Sequence, residues 1–219
     1  MIKNIIFDFD GVLVDSEILV AKAFSKYMLN FGIKTNEKEF ANLAGKKTVQ
    51  VIKILSEKYS IKDQQKFFDD IMEIASNIYK KELTTVKGAY EFVSKSKLNL
   101  FIGSNSIKDR ILDGLERVEL SQYFKPEQVY SFDLVDKPKP DPDIYVKAIE
   151  DNNLNKNQTI IIEDSAVGVI AGVSAGIKVI GLTAGGHWHE DRNEKELFDA
   201  GAFTVTNNYN KIIEIINNN

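Results

Sequence analysis

The sequence predicts an α/β protein, a doubly wound parallel sheet interrupted by an inserted all-α segment, and three observations carry that expectation. Short apolar runs rich in β-branched and aromatic residues, such as Ile5-Ile6-Phe7 and Ile160-Ile161-Ile162, are bounded by polar residues, the pattern of strands buried on both faces. Helical patterns alternate with these runs, as in a parallel sheet covered on both sides. One long stretch, 15–82, breaks the alternation with helical periodicity alone.

Strands are expected over 2–8, 98–103, 159–163 and 177–182, with a later candidate at 202–206. Between them, apolar residues at three- and four-residue spacing predict helices over 89–97, 107–118, 142–151 and 166–175. Asp141-Pro142 offers an N-cap acceptor followed by proline at the first helical position, where a missing N–H is harmless. Gly176 follows the last helix as a left-handed C-cap. Within the interruption, helices are expected over 18–30, 37–43, 48–59 and 63–81. The domain reading is therefore an α/β core of residues 1–14 plus 83–219 and a helical cap of residues 15–82. Such a cap springs from the carboxyl end of the first strand, where it can act as a lid. The tail Asn217, Asn218 and Asn219 is expected to fray, and no internal repeat is visible.

Composition narrows the function classes. The 219 residues are 43% hydrophobic and 27% charged, ordinary for a globular protein with a sizeable core. A net charge of −4 offers no footprint for nucleic acid or an anionic membrane, so any phosphate ligand must be met by particular lysines. The chain has no cysteine, which excludes disulfides, thiolate nucleophiles and cysteine-bound zinc. Two histidines, His187 and His189, are too few for a histidine metal cage. No apolar run is long enough to span a bilayer and no charged leader precedes an apolar segment, so a cytoplasmic monomer is expected.

Two acid pairs hold most of the chemistry. Asp8 and Asp10 follow the first apolar run; Glu163 and Asp164 follow the third. Ligands of an open α/β sheet bind outside the carboxyl ends of its strands, so both pairs fall where a site belongs. Four carboxylates crowded there raise one another's pKa values unless a cation neutralises them, and hard oxygen ligands suit Mg²⁺. The expectation is a Mg²⁺ site that handles phosphate. A carboxylate is a competent nucleophile in phosphoryl transfer, giving an aspartyl-phosphate that water hydrolyses. Ser104 and Asn105 end a strand before a helix, a natural anion site, or else a plain helix cap.

Four ordered motifs carry a family resemblance: Asp8-Phe9-Asp10-Gly11-Val12, Gly103-Ser104-Asn105-Ser106, Lys137-Pro138-Lys139-Pro140-Asp141-Pro142 and Glu163-Asp164-Ser165-Ala166-Val167-Gly168. The chain resembles the haloacid dehalogenase superfamily, in the branch of β-phosphoglucomutase and related sugar-phosphate phosphatases, whose core is Rossmann-like and whose cap is helical. The resemblance covers nearly the whole core; the cap matches only in layout. It implies Asp8 as nucleophile and Mg²⁺ ligand, and Asp10 as general acid/base with its backbone carbonyl on the metal. It implies Asp164 as a direct metal ligand and Glu163 as a ligand either direct or through water. Ser104 and Asn105 become phosphate contacts, and the pattern selects Lys137 over its neighbour Lys139 as the phosphate-binding lysine, with a cis peptide expected at Pro138. Ser165, Gly168 and Gly172 read as small residues where a helix packs closely on the sheet.

The resemblance implies that substrate choice lies in the cap loop Gly45-Lys46-Lys47-Thr48, where Lys46 or Lys47 can reach an anionic group, unless both are simply solvated. His187, in Gly185-Gly186-His187-Trp188-His189, is a further candidate contact. The expected activity is Mg²⁺-dependent hydrolysis of a small phosphorylated metabolite such as a sugar phosphate. The rival is a phosphomutase, but the resemblance would then require a histidine where this chain has Val20 and an arginine where it has Thr48. A non-catalytic ligand-binding relative would normally have lost Asp8 or Asp10, and both are present.

Overall fold

The computed structural model of the protein describes residues 1–35, 40 and 48–218. Its described residues form one parallel sheet of β1 (Asn4–Phe7), β2 (Asn99–Ser104), β3 (Val129–Ser131), β4 (Thr159–Glu163), β5 (Lys178–Leu182) and β6 (Thr204–Thr206), in the spatial order β3-β2-β1-β4-β5-β6. Described helices are α1 (Glu17–Leu29), α2 (Thr48–Tyr59), α3 (Gln64–Glu82), α4 (Ala89–Lys95), α5 (Lys108–Arg117), α6 (Asp143–Asp151), α7 (Ala166–Ser174), α8 (Lys195–Asp199) and α9 (Tyr209–Asn217). The chain leaves β1 toward β2 on one side and returns to β4 on the other. This reversal opens the crevice in which doubly wound sheets bind ligands.

Strand parity explains the layers. Ile5, Phe7, Ile102, Ile160 and Ile162 face one cluster with Phe92 and Val93 of α4, Ile111 and Leu115 of α5, and Ile212 and Ile216 of α9. Ile6, Phe101, Ile161 and Val179 face the opposite cluster with Ile144 and Tyr145 of α6, Val169 and Ala171 of α7, and Leu197 of α8. Successive residues of a strand point to opposite sides, so an apolar run with no alternation is what a twice-covered sheet needs. Each fully buried side chain of this kind stabilises the fold by about 1.5–3 kcal/mol relative to exposure.

The cap helices pack on their own core. Phe24, Tyr27 and Met28 of α1 meet Val51, Ile52 and Leu55 of α2 and Phe67 and Ile71 of α3. Tyr27 and Phe67 stack with centroids 4.8 Å apart. The two linkers that join this bundle to the sheet domain are tied together: Val14 and Thr85 form an antiparallel bridge, and the Asp15 N–H donates to the Thr84 carbonyl at 2.9 Å. Lys22 and Glu82 form an ion pair across the roots of α1 and α3. Among the described residues no helix is long and apolar enough to cross a membrane.

Several boundaries differ from expectation. β3, α8 and α9 have no counterpart among the elements expected from the sequence. β3 has three residues, too few to show a period. The tail is ordered as α9 through Asn217, because Asn208 caps it by accepting from the Lys211 N–H at 3.0 Å and Tyr209, Ile212 and Ile216 bury one stripe. Pro142 occupies the N-cap position of α6 and the helix starts one residue later, so Asp141 makes no cap hydrogen bond to it. Gly176 does take the left-handed conformation, with φ of 76°. The helix expected over 37–43 lies outside the described residues except for Phe40, whose ring stacks on Phe24 at 5.6 Å.

Candidate active site

Register brings the two acid pairs together. Phe7 pairs with Ile162, and the Asp8 N–H donates to the Ile162 carbonyl at 2.9 Å, so Asp8 leaves β1 alongside Glu163 at the end of β4. Gly11 turns the chain with φ of +77°, and a Cβ there would lie 1.9 Å from Asp164 Oδ2. Glycine is thus required twice at this position, by conformation and by the approach of the second acid pair. Asp8, Glu163 and Asp164 are buried, and each offers a carboxylate oxygen within 4.8 Å of the others.

Lys139 places a cation between Asp8 and Glu163. Its Nζ lies 2.8 Å from Asp8 Oδ1 and 2.5 Å from Glu163 Oε1. The ammonium sits 4.8 Å from the centre of the Tyr145 ring, and the Tyr145 hydroxyl donates to Glu163 Oε1 at 2.8 Å. Asn105 fixes the backbone of this lysine: its Oδ1 accepts from the Lys139 N–H at 2.9 Å and its Nδ2 donates to the Lys139 carbonyl at 3.1 Å. Lys137, the lysine selected from the motif, is instead 67% exposed, with Asp141 4.0 Å away. The cis peptide is at Lys139-Pro140 rather than at Pro138. Two Lys-Pro pairs in succession look alike in sequence. What separates them is the start of α6 at Asp143, since the lysine nearer that helix is the one at the sheet edge.

Glu163 is fully buried and held on every side. Its Oε2 accepts from the backbone N–H groups of Asp164 and Ser165 at 3.1 and 3.3 Å and from the Ser165 hydroxyl at 3.1 Å. Ser165 also caps α7 through the Gly168 N–H. A Cβ on Gly168 would lie 1.7 Å from Glu163 Oε1, so this glycine does more than let helix and sheet approach. It makes room for a site carboxylate. Gly172 retains the packing role, facing Val179 and Ile161.

Asp10 is positioned separately. Its Oδ1 accepts from the Ser16 hydroxyl at 2.5 Å; its Oδ2 accepts from the Ser106 hydroxyl at 2.6 Å and Arg110 Nη1 at 2.7 Å. Ser104, buried at the end of β2, lines the same cavity of about 250 Å³ as Asp8, Asp10, Lys139 and Asp164. A larger chamber of about 630 Å³ lies between α1, α3 and α5, and Asp10, Glu17 and Ser106 line both spaces. His187 is buried and lines the smaller cavity, with Nε2 3.0 Å from Asp164 Oδ2. Lys46 and Lys47 lie outside the described residues. Arg110, Glu17, Ser16 and Tyr145 sit on or beside helices, where reach into a site depends on helix rotation and not on a motif, whereas Ser106 belongs to the Gly103-Ser104-Asn105-Ser106 motif, which points to Ser104 and Asn105 but leaves Ser106 without a role.

Electrostatics match the geometry. Burial, then the charges of Glu163 and Asp164, push the Asp8 carboxyl well above the usual range, against the opposing charge of Lys139. Asp164 is likewise raised, by burial and then by Glu163. For Lys139, burial alone would lower the pKa, but Asp8 and Glu163 outweigh it and the ammonium is retained. Burial also presses upward on Asp10, yet Arg110 and the two serines hold it below the ordinary value. Glu17 is raised to about 7 by burial and by Asp10. His187 is lowered to about 4 by burial and is therefore neutral at pH 7. Excess negative charge beside a lysine, in a cluster of hard oxygen donors, fits a divalent cation such as Mg²⁺ and an incoming phosphoryl group.

The family model described as haloacid dehalogenase-like hydrolase matches residues 5–182. The chain is 31% identical over 208 residues, 93% of each sequence, to a phosphorylated carbohydrates phosphatase of Thermotoga maritima. It is 26% identical over 188 residues, 85% of each, to 6-phosphogluconate phosphatase of Escherichia coli. A HAD family hydrolase from Deinococcus radiodurans R1, solved with bound phosphate and sodium, superposes with a TM-score of 0.86 at 25% identity, covering 99% of this chain and 96% of that one.

Proposed function

The chain belongs to the haloacid dehalogenase-like hydrolases and is a phosphatase of that family, and we propose that it hydrolyses small phosphomonoesters, phosphorylated carbohydrates among them, with Mg²⁺ and through a phosphoaspartate on Asp8. The observation that carries this reading is the buried cluster of Asp8, Glu163 and Asp164 around Lys139, with Asp10 two residues from the nucleophile on a separate set of donors.

An Asp8 oxygen attacks phosphorus while the bond to the leaving oxygen breaks; Asp10, a carboxylate at rest on Arg110 and the two serines, takes up a proton from solvent as substrate binds and delivers it to that oxygen. Water then attacks the phosphoaspartate, the bond from phosphorus to Asp8 breaks, and Asp10 takes the water proton back. Lys139, not Lys137, is assigned to the phosphoryl oxygens, with Ser104 beside it; the charge it offers is already at the nucleophile. Asn105 serves by fixing Lys139.

Mg²⁺ would be held by Asp8, the Asp10 backbone carbonyl and Asp164. It would neutralise phosphoryl charge. Both oxygens of Glu163 already accept protein donors, which favours contact with the ion through water. Residues 15–82 serve as the lid that excludes water from the first step. Val20 lines the chamber beside Asp10. An aliphatic side chain in that position supports hydrolysis over mutase chemistry.

The test is phosphate release from a panel of phosphorylated carbohydrates and p-nitrophenyl phosphate with Mg²⁺, ranked by kcat/KM. EDTA and Asp8→Asn should each abolish turnover. Hydrolysis that survives Asp8→Asn would overturn the mechanism, and conversion of β-glucose 1-phosphate to glucose 6-phosphate without free phosphate would favour the mutase.

A further inference from the structure

We propose that Arg110 is a positioning residue for Asp10, held in place by Tyr79 of the cap, and that it aims the acid/base at the leaving-group oxygen. This inference rests on the reading of Asp10 as the proton donor. Arg110 stands in the first turn of α5, the positive end of the helix dipole. A cation there is disfavoured by the helix itself, so its location must be explained by a partner. That partner is Asp10. Arg110 Nη1 donates to Asp10 Oδ2 at 2.7 Å and to the Ser106 hydroxyl at 2.5 Å, and the Ser106 hydroxyl in turn donates to the same Asp10 oxygen at 2.6 Å. The other oxygen is held by Ser16. Arg110 and Ser106 therefore fix Oδ2, while Oδ1 faces only the Ser16 hydroxyl, which can accept as well as donate and so leaves Oδ1 able to carry the acid proton.

Two of the groups that shape this arrangement belong to the cap roots. Ser16 is the residue preceding α1, and Tyr79 is in the last turn of α3. The Arg110 guanidinium lies 4.8 Å from the centre of the Tyr79 ring. The Tyr79 hydroxyl is buried and has no hydrogen-bond partner among the described residues, so the ring face is what this tyrosine contributes. The carboxylate so held sits where the catalytic cavity and the chamber between cap and core share a wall. A phosphomonoester spanning the two spaces would have its bridging oxygen at that wall.

The experiment compares leaving groups. An alkoxide must be protonated as it departs, whereas p-nitrophenolate needs little help, so a defect in acid positioning depends on the leaving group. Wild type, Arg110→Met, Arg110→Lys, Tyr79→Leu and Asp10→Asn are measured with a sugar phosphate and with p-nitrophenyl phosphate, the latter also by the single-turnover burst of nitrophenolate. For Arg110→Met the sugar-phosphate kcat should fall about 100-fold, the lower end for general acid catalysis, with KM nearly constant and the nitrophenolate burst largely retained. Arg110→Lys should recover part of the loss, and Tyr79→Leu should show a smaller loss with the same leaving-group dependence. Equal losses for both leaving groups, or a rise in KM alone, would overturn the inference, the first as a structural role and the second as substrate binding. If Asp10→Asn keeps the wild-type rate on the sugar phosphate, the acid/base reading itself has failed. If Asp10→Asn is inactive there while Arg110→Met is not impaired, only the role of Arg110 has failed.

Discussion

Lys139→Met would leave Asp8 and Glu163 buried without the cation they share. Removing one partner of a buried ion pair costs about 3–5 kcal/mol, so urea unfolding in EDTA should show a loss of that order, and kcat should fall by at least about 100-fold. Lys137→Met changes an exposed side chain and should shift stability by no more than about 0.5 kcal/mol, with turnover retained. The reverse pattern would reinstate Lys137. Glu17 makes a prediction about pH. Its folded pKa of about 7 lies above the ordinary 4.5, so its contribution is fully present below about pH 4.5 and is lost as pH rises through about 7. Relative to wild type, Glu17→Gln should therefore gain in melting temperature between about pH 5 and pH 8, modestly because the side chain is partly solvated. His187 acts in the opposite sense, losing stability as pH falls from 6.5 toward 4, so the alkaline half of the curve isolates Glu17. A difference that stays flat with pH would show that Glu17 is not perturbed. At this scale the sequence exposes acids at strand ends, because β-strand position and chemistry coincide there. It hides Arg110 and Glu17, whose reach depends on how a helix is turned.

Helix α7 shows what an element contributes to the site. It begins at Ala166, directly after the acids, with Ser165 as its cap and Gly168 beneath Glu163. Gly168→Ala would drive a methyl group into the Glu163 carboxylate, which cannot move without releasing Lys139, Tyr145 or Ser165. Loss of such a supporting group typically weakens metal binding 10–100-fold, so the Mg²⁺ concentration for half-maximal activity should rise by about that factor. Unchanged Mg²⁺ dependence would mean that Glu163 has slack and lies outside the metal site. α9 illustrates the limits of reading elements from sequence. Its periodicity and its Asn208 cap were both present, but the terminal asparagines suggested fraying. The Tyr209 hydroxyl in fact donates to the Val12 carbonyl at 2.8 Å, which fastens this last helix to the turn after Asp10. That contact spans almost the whole chain, and no local pattern announces it. β3 was hidden for a different reason: an edge strand of three residues gains its identity from pairing with β2.

For the molecule as a whole, the site is a concentration of like charge that the fold tolerates at some cost in stability. Asp8 and Asp164 are both raised by burial and by neighbouring carboxylates, and Lys139 offsets only part of the repulsion. Two consequences follow from linkage. Mg²⁺ that binds the folded chain alone stabilises it by about 2.7 kcal/mol at one hundred times its dissociation constant, roughly 5–11 °C in melting temperature for a protein of this size. Asp164→Asn removes one of the mutually repelling carboxylates, so in EDTA this variant should melt above wild type. The neutral amide also weakens the site for the ion, so the variant should lose most of the Mg²⁺-induced rise together with its phosphatase activity. A stable, inactive and metal-indifferent Asp164→Asn protein is the expected outcome of calorimetry with and without Mg²⁺. A variant that melts below wild type in EDTA would mean that the His187 contact to Asp164 outweighs the repulsion. One that keeps the full Mg²⁺ shift would remove Asp164 from the metal site.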